Sequence, residues 1–350
     1  MSTTHRGRGA GDNPPNRFIP LYREKLDTWC EEDDPAPHTL FFRDQSRTLL
    51  SSNDSPDIPF TFSLNPYRGC EHGCIYCYAR PTHEWLGLSA GLDFESRIFV
   101  KEDAPELLRR ELASKKWQPQ NVSIGAVTDP YQPVERRLQL TRRCLEVFAE
   151  FRNPVGIVTK NALVTRDIDI LKELAAVDAA AVYISITTLD ADLARVMEPR
   201  ASAPAARIRA IEELAAAGIP VGVMTAPVIP GLTDHEIPAI LEAAAGAGAM
   251  TAGYVVLRLP FGVKELFTDW LEAHFPSKKE KVLGRLRETR DGKLNDANFG
   301  SRMTGQGEWA EVFGDMFRLH RRRLGMQERG PKLSTAAFTN GRPKQMSLFE

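Results

Sequence analysis

Asn65 Pro66 Tyr67 Arg68 Gly69 Cys70 Glu71 His72 Gly73 Cys74 Ile75 Tyr76 Cys77 Tyr78 Ala79 gathers three of the chain's five cysteines into eight residues. Spacings of four and three let the thiols face one point. A helix burying small apolar cysteines along one face would give the same spacing, but Pro66, Gly69 and Gly73 favour an irregular loop. A structural zinc site could use the three thiolates with His72 or a remote histidine as fourth ligand, although no second ligand pair stands at finger spacing. An iron–sulfur cluster held by only three thiolates would leave one iron open for chemistry.

This loop directly follows the first of six strand candidates: Phe60 to Leu64, Val122 to Val127, Val155 to Thr159, Ala181 to Thr187, Ile219 to Met224 and Gly253 to Leu257. Between them lie segments of helical period at Ala104 to Lys115, Leu138 to Phe151, Thr165 to Leu174, Pro204 to Ala216 and His235 to Ala247. Each is long enough for a parallel crossover. The expected fold class is α/β, a partial (β/α)6 barrel of parallel strands with an N-terminal arm and a helical C-terminal extension. Four regions follow: an irregular arm over 1–59, the barrel core over 60–259, a helical extension with a basic segment over 260–332, and a flexible tail over 333–350. A full eight-unit barrel is disfavoured, because Lys264 to Glu272, Lys278 to Glu288 and Trp309 to Leu324 all read as helix.

The 350 residues carry 45 Lys+Arg against 46 Asp+Glu, a formal net charge of -1. Wholesale electrostatic capture by nucleic acid is excluded, so any such binding needs a local patch. No run of about 18 apolar residues suits a membrane, and Met1 to Phe18 holds no apolar leader, which points to the cytoplasm. An odd cysteine number with three thiols clustered is not a disulfide framework.

The C-x3-C-x2-C loop, with an aromatic before its last cysteine and at the head of a βα series, resembles the radical S-adenosylmethionine (SAM) superfamily. The flanking words Asn65 Pro66 Tyr67 Arg68 Gly69 and Cys77 Tyr78 Ala79 Arg80 are similar to the branch containing spore photoproduct lyase and DNA repair photolyase-like proteins. The resemblance spans about Phe60 to Leu259. It implies a 4Fe–4S cluster on Cys70, Cys74 and Cys77 whose open iron binds SAM, with Tyr76 against the adenine. It also implies reductive cleavage of SAM to a 5′-deoxyadenosyl radical by a one-electron donor such as flavodoxin or ferredoxin.

Further words stand at strand ends, where such a barrel keeps its site. Thr128 or Asp129 would lie beside the methionine moiety, and Lys160 would reach its carboxylate as a point charge. Ser185 and Thr187 share a face by the period-two rule and could hydrogen-bond ribose or carboxylate. Arg200 offers a fork for a carboxylate or phosphate, or pairs with Glu198. Val228, with Ile229, would contact adenine. One departure matters: spore photoproduct lyase uses a cysteine near the second strand as hydrogen donor, and none lies between Val122 and Glu135 here. That reaction is therefore not inherited, and Tyr131, with Tyr67 or Tyr78 as alternatives, is a candidate for a radical carrier.

Arg318 to Lys332 holds six Arg/Lys against one Glu and could contact DNA phosphates. The terminal Gln345 Met346 Ser347 Leu348 Phe349 resembles the pentapeptide by which bacterial replication and repair proteins bind the sliding clamp. Gln345 would bond at the pocket mouth while Met346, Leu348 and Phe349 fill an apolar groove. The expected function is a radical SAM lyase-like enzyme of DNA repair, acting on a DNA lesion or modified nucleotide. Modification of RNA or protein is the alternative within enzymes, and a zinc-stabilised, non-catalytic clamp adaptor is the alternative outside them.

Overall fold

Apolar β-branched runs separated by amphipathic helices leave one economical arrangement, a parallel sheet with one face under helices. The computed structural model describes residues 5–19 and 38–340. Its strands are β1 (Leu40–Arg43), β2 (Leu50–Ser52), β3 (Phe62–Leu64), β4 (Tyr67–Arg68), β5 (Arg97–Val100), β6 (Val122–Ile124), β7 (Val155–Thr159), β8 (Ala180–Ser185), β9 (Val221–Val228) and β10 (Thr251–Val256). The main sheet runs β10-β9-β8-β7-β6-β3-β2. Its six strands from β3 to β10 pair in parallel and in chain order, and β2 adds antiparallel to β3. The first and last strands of this order do not pair, so the six-unit barrel stays open.

The helices are α1 (Leu92–Ser96), α2 (Ala104–Leu112), α3 (Glu135–Leu138), α4 (Leu140–Phe151), α5 (Ile168–Ala175) and α6 (Ala191–Met197). They continue with α7 (Pro204–Ala216), α8 (Ile237–Gly246), α9 (Val263–His274), α10 (Pro276–Glu288), α11 (Ser301–Thr304) and α12 (Gly307–Arg323). Alternate strand positions divide the two faces of the sheet. Leu64, Val122, Ile124, Val155, Ile157, Val182, Ile184, Val221 and Val223 join the core beneath the helices. Many of the intervening positions are small, among them Ser63, Ser123, Gly156, Ala181, Gly222 and Gly253, with larger Tyr183 and Met224 beside them. At Gly222 a Cβ would stand 2.8 Å from the Tyr183 ring, so glycine is what lets that ring lie against the sheet.

The helical C-terminal part shares its core with the cysteine loop. Leu266, Phe267, Trp270, Val282 and Leu286 cluster with Cys74, Ile75 and Tyr76. Two strands, β1 and β2, lie within the stretch expected to be irregular. A second small sheet of β1, β5 and β4 also escapes the sequence pattern, because strands of two to four residues show no periodicity.

Chain beyond α12 departs from expectation in two ways. Instead of a free tail from residue 333, the backbone runs along the amino ends of the strands. The Gln327 amide donates to Met250 O (2.8 Å), Ser334 to Asp178 O (2.8 Å) and Thr339 to Phe151 O (2.8 Å), while Phe338 packs against Phe151. The basic segment Arg318 to Lys332 therefore lies at the end of the sheet opposite the cysteine loop, and Arg318 and Arg321 are paired with Asp315 and Glu328. The pentapeptide Gln345 to Phe349, like Cys30, lies outside the described residues. No described helix is long and apolar enough to cross a membrane.

Candidate active site

The cysteine loop is held from both sides. Tyr67 and Arg68 pair with Val100 and Phe99, and the Cys70 amide donates to Phe94 O (2.9 Å). Gly69 and Gly73 adopt φ of +79° and +66°, which turn the chain where a helix would have continued. The helical alternative for this stretch is thereby overturned. Arg80, fully buried, threads beneath the loop. Its guanidinium donates to the carbonyls of Cys74 (3.0 Å), Gly73 (3.1 Å), Ala90 (3.1 Å) and Gly91 (3.0 Å), and pairs with buried Glu95 at 2.5 Å. Glu95 also accepts from the Gly9 amide (3.0 Å) and the Ala10 amide (2.8 Å), so the N-terminal arm is bolted onto the same carboxylate.

Cys70 and Cys74 are buried and Cys77 is half-buried; none forms a disulfide. Burial pushes the Cys70 and Cys74 thiols up, so their thiolates require a cation beside them. Among the described residues, no three His, Cys, Asp or Glu side chains converge on a single-ion site. His72 is spoken for: Nδ1 lies 3.3 Å from Asp129 and Nε2 lies 3.3 Å from the Asn161 amide. The zinc reading loses its nearest fourth ligand. Three soft thiolates spread along one loop, with no fourth at hand, fit a polynuclear iron–sulfur group.

The strand ends surround this loop. Asp129 accepts from Thr159 Oγ1 (2.7 Å), the Lys160 amide (2.7 Å) and the Tyr131 amide (2.9 Å), tying the turns after β6 and β7 together. Thr128 donates to Tyr67 O (3.2 Å), so its hydroxyl serves the loop backbone rather than an open space. Tyr76 is buried and its hydroxyl donates to Glu198; Thr187 Oγ1 donates to the same oxygen at 2.8 Å. Arg207, also buried, pairs with the other Glu198 oxygen and donates to Ser185 O (3.0 Å). Lys160 Nζ lies 5.7 Å from the centre of the Tyr76 ring. Tyr76 and Thr187 thus meet on Glu198 with Lys160 beside the Tyr76 ring, and Ser185 joins them through its carbonyl on Arg207.

Three expected site residues fall elsewhere. Val228 sits in the core beneath the helices, because β9 extends through it, whereas Ile229 turns into the cluster containing Tyr76. Tyr131 is fully buried with its hydroxyl on Asp167 (3.1 Å), which leaves it no face for a substrate. Arg200 does not pair with Glu198. It reaches Glu71 (3.3 Å) and Thr39 (3.2 Å), clipping the chain after α6 to the cysteine loop. Sequence reasoning missed Glu95, Arg80, Arg207 and Gln132, whose side chain accepts from the Glu71 amide (2.9 Å) and donates to Gly69 O (3.3 Å). Arg207 carried a signal: with Ile211 and Leu214 it falls at i, i+4, i+7 on the buried face of α7.

The family model described as "Radical SAM superfamily" matches residues 64–244, more than half of the chain. The chain belongs to the radical SAM superfamily. An uncharacterized protein of Mycobacterium tuberculosis is 36% identical over 233 residues, covering 66% of this chain and 67% of that one. Another from Methanocaldococcus jannaschii is 31% identical over 175 residues, 50% of this chain and 63% of its own length. Among solved structures, spore photoproduct lyase complexed with dinucleoside spore photoproduct aligns with a TM-score of 0.58 at 17% identity, covering 82% of this chain and 80% of that one. That identity speaks for a shared fold. The protein is therefore a radical SAM enzyme, and its family brings a 4Fe–4S cluster and SAM.

Two carboxylates of this site give a pH signature. Burial would raise Asp129, but His72 and the bonds from Lys160 and Thr159 outweigh it and hold the group at about 2. Burial would likewise raise Glu198, but Arg207 and then Lys160 hold it at about 2. Both folded values lie below the unfolded ones, so the stabilisation is complete above about pH 4.5 and is lost as pH falls toward 2. Thermal unfolding of the cluster-free protein is expected to drop steeply through that window. Asp129→Asn should flatten the drop; an unchanged slope would remove Asp129 from this account.

Proposed function

We propose that Cys70, Cys74 and Cys77 hold the cluster, that Tyr76, Lys160, Ser185 and Thr187 receive SAM, and that the substrate is a lesion or modified nucleotide in nucleic acid. The observation that carries the site assignment is the set of three undisulfided thiols on one loop at the carboxyl end of the first parallel strand. When bound, the cluster supplies the electron that cleaves SAM to a 5′-deoxyadenosyl radical, which takes a hydrogen atom from the substrate. The chain's own part is to bind, orient and shield. Lys160 brings a cation for the SAM carboxylate, and Glu198 fixes the Tyr76 hydroxyl so that the ring keeps one orientation. The turns after β6 and β7, tied through Asp129, stand beside the cysteine loop, where Asp129 also faces His72.

The nucleic-acid part rests on the words shared with the photolyase-like branch and on the fold shared with spore photoproduct lyase. With no cysteine between Val122 and Glu135, that lyase's hydrogen donor has no counterpart at that place here, so the final hydrogen would be returned by 5′-deoxyadenosine or supplied by another group. A small one-electron carrier of flavodoxin or ferredoxin type is the proposed reductant. Recruitment to a sliding clamp through Gln345, Met346, Leu348 and Phe349, and a cytoplasmic location, rest on sequence only.

Anaerobic reconstitution followed by iron and sulfide counting, then dithionite and SAM with 5′-deoxyadenosine as readout, tests the assignment. Wild-type protein should form 5′-deoxyadenosine. Cys70→Ala, Cys74→Ala and Cys77→Ala should each lose the cluster absorbance and fall below detection. A colourless protein with stoichiometric zinc would overturn the assignment.

A further inference from the structure

The two tyrosines that flank Cys77 each carry a cation. Lys160 Nζ stands 5.7 Å from the Tyr76 ring centre, and the Arg258 guanidinium stands 4.8 Å from that of Tyr78. Among the described residues, neither cation has a carboxylate within ion-pair distance. The carboxylate nearest in charge to Arg258, Asp57, is taken by Arg302 at 2.5 Å and by the Gly300 amide. SAM carries a single carboxylate, and the reading above gives it to Lys160. Arg258 is then a half-buried guanidinium beside the cysteine loop whose desolvation is met by the Tyr78 ring but by no carboxylate at ion-pair distance, a state that an anion would complete.

Chain continuing from these residues adds flat apolar surface. Tyr78 is 48% exposed, Phe261 54% and Trp85 74%. Phe261 is held outward by a left-handed backbone, φ +49°, that phenylalanine rarely adopts. Arg17 lies 3.6 Å from the Phe261 ring centre and bonds Glu84 at 2.6 Å, and Phe18 packs on Trp85 at 4.3 Å. The contacts run without a break from Phe261 through Arg17 and Phe18 to Trp85, and Arg258 lies three residues before Phe261.

We infer that Arg258, Tyr78, Phe261 and Trp85 form the surface that takes single-stranded or extruded nucleic acid, with Arg258 on a backbone phosphate beside the reacting nucleotide and the exposed rings stacking neighbouring bases. Rings interleaved with guanidiniums suit bases, which all present a π-face, and suit phosphates, which need point or forked cations. A base must leave its stack to meet chemistry at a loop whose cysteines are buried or half-buried. This deepens the substrate reading above and rests on it, both for where the chemistry occurs and for giving the SAM carboxylate to Lys160.

The test is fluorescence anisotropy of the full-length protein with one labelled sequence offered as single-stranded DNA, single-stranded RNA and duplex. Single strands are expected to bind tighter than duplex and to quench Trp85 emission, with the DNA and RNA arms showing which source is preferred. Arg258→Gln should weaken single-strand binding about tenfold and reduce the slope of log K against log salt by about 0.7. Phe261→Ala with Trp85→Ala should weaken it about tenfold and leave the salt slope unchanged. Arg321→Ala, Arg322→Ala and Arg323→Ala together, at the opposite end of the sheet, should change little. The inference is overturned if wild-type protein binds no oligonucleotide, if the Arg258 and Phe261 variants both bind as wild type does, or if the loss follows the Arg321 to Arg323 variant. Forming 5′-deoxyadenosine in the same preparations separates failure of this surface from failure of the radical reading.

Discussion

Glu95→Ala is expected to cost roughly 3–5 kcal/mol of stability, because it strands a charge in the interior. Arg80 and Glu95 are each 0% exposed, and Arg80 has no other acid to turn to. Its remaining partners are four carbonyls, which hold the guanidinium but do not neutralise it. The same change frees the amides of Gly9 and Ala10, so the arm should come off the cysteine loop as the loop itself loosens. Limited proteolysis should then cut within residues 5–19, and reconstituted iron should fall along with the unfolding midpoint.

A second substitution isolates the arm. At Gly9 a Cβ would stand 1.7 Å from the Gly73 carbonyl oxygen, a backbone atom that cannot swing aside. Gly9→Ala should therefore displace the arm while leaving the buried ion pair intact. Its stability loss should be smaller than that of Glu95→Ala, with similar exposure of the arm to protease. If Glu95→Ala unfolds at the wild-type midpoint and retains its iron, the arm and the pair are not what holds the loop.

Much of this arrangement was readable from the chain, and the boundary has a physical cause. The six parallel strands showed themselves because each is a β-rich run bounded by helical period, and Pro204 to Ala216 coincides with α7 because a proline starts it and Gly218 follows it. The cysteine loop announced itself by spacing, Tyr76 by its place before the last cysteine, and Lys160, Ser185 and Thr187 as polar residues at or just after strand ends, which is where the structure places them. What could not be read are pairings made by tertiary contact. Glu198 lies two residues from Arg200 yet bonds Arg207 nine residues away, because α6 ends at Met197 and the chain folds back onto α7. Val228 was misplaced by the length of β9, and the stretch from residue 333 to Thr339 by its composition, since polar residues that bond backbone to backbone look like a free tail.

That Glu198 pairing carries the other large effect. Glu198 is 2% exposed and Arg207 1%, so Glu198→Ala leaves a buried guanidinium uncompensated and should cost roughly 3–5 kcal/mol. The loss alone would not show a role in binding, because Tyr76 would be disturbed together with the fold. Glu198→Leu combined with Arg207→Met removes both charges and restores apolar volume, a replacement that is often neutral or stabilising for buried pairs. Urea unfolding should place this double variant well above Glu198→Ala. The Tyr76 hydroxyl would then have Thr187, at 3.2 Å, as its remaining side-chain partner, and the ring would lose the acceptor that fixes it. If Glu198 acts through Tyr76 as a positioning residue, the stable double variant should show a raised KM for SAM with a much smaller change in kcat. Glu198→Gln, which keeps an acceptor for Tyr76 but gives up the charge facing Arg207, should do the reverse, losing stability while holding KM near wild type. Equal KM values in the double variant and wild type would confine Glu198 to the fold and leave the Tyr76 ring to be held by the apolar cluster around it.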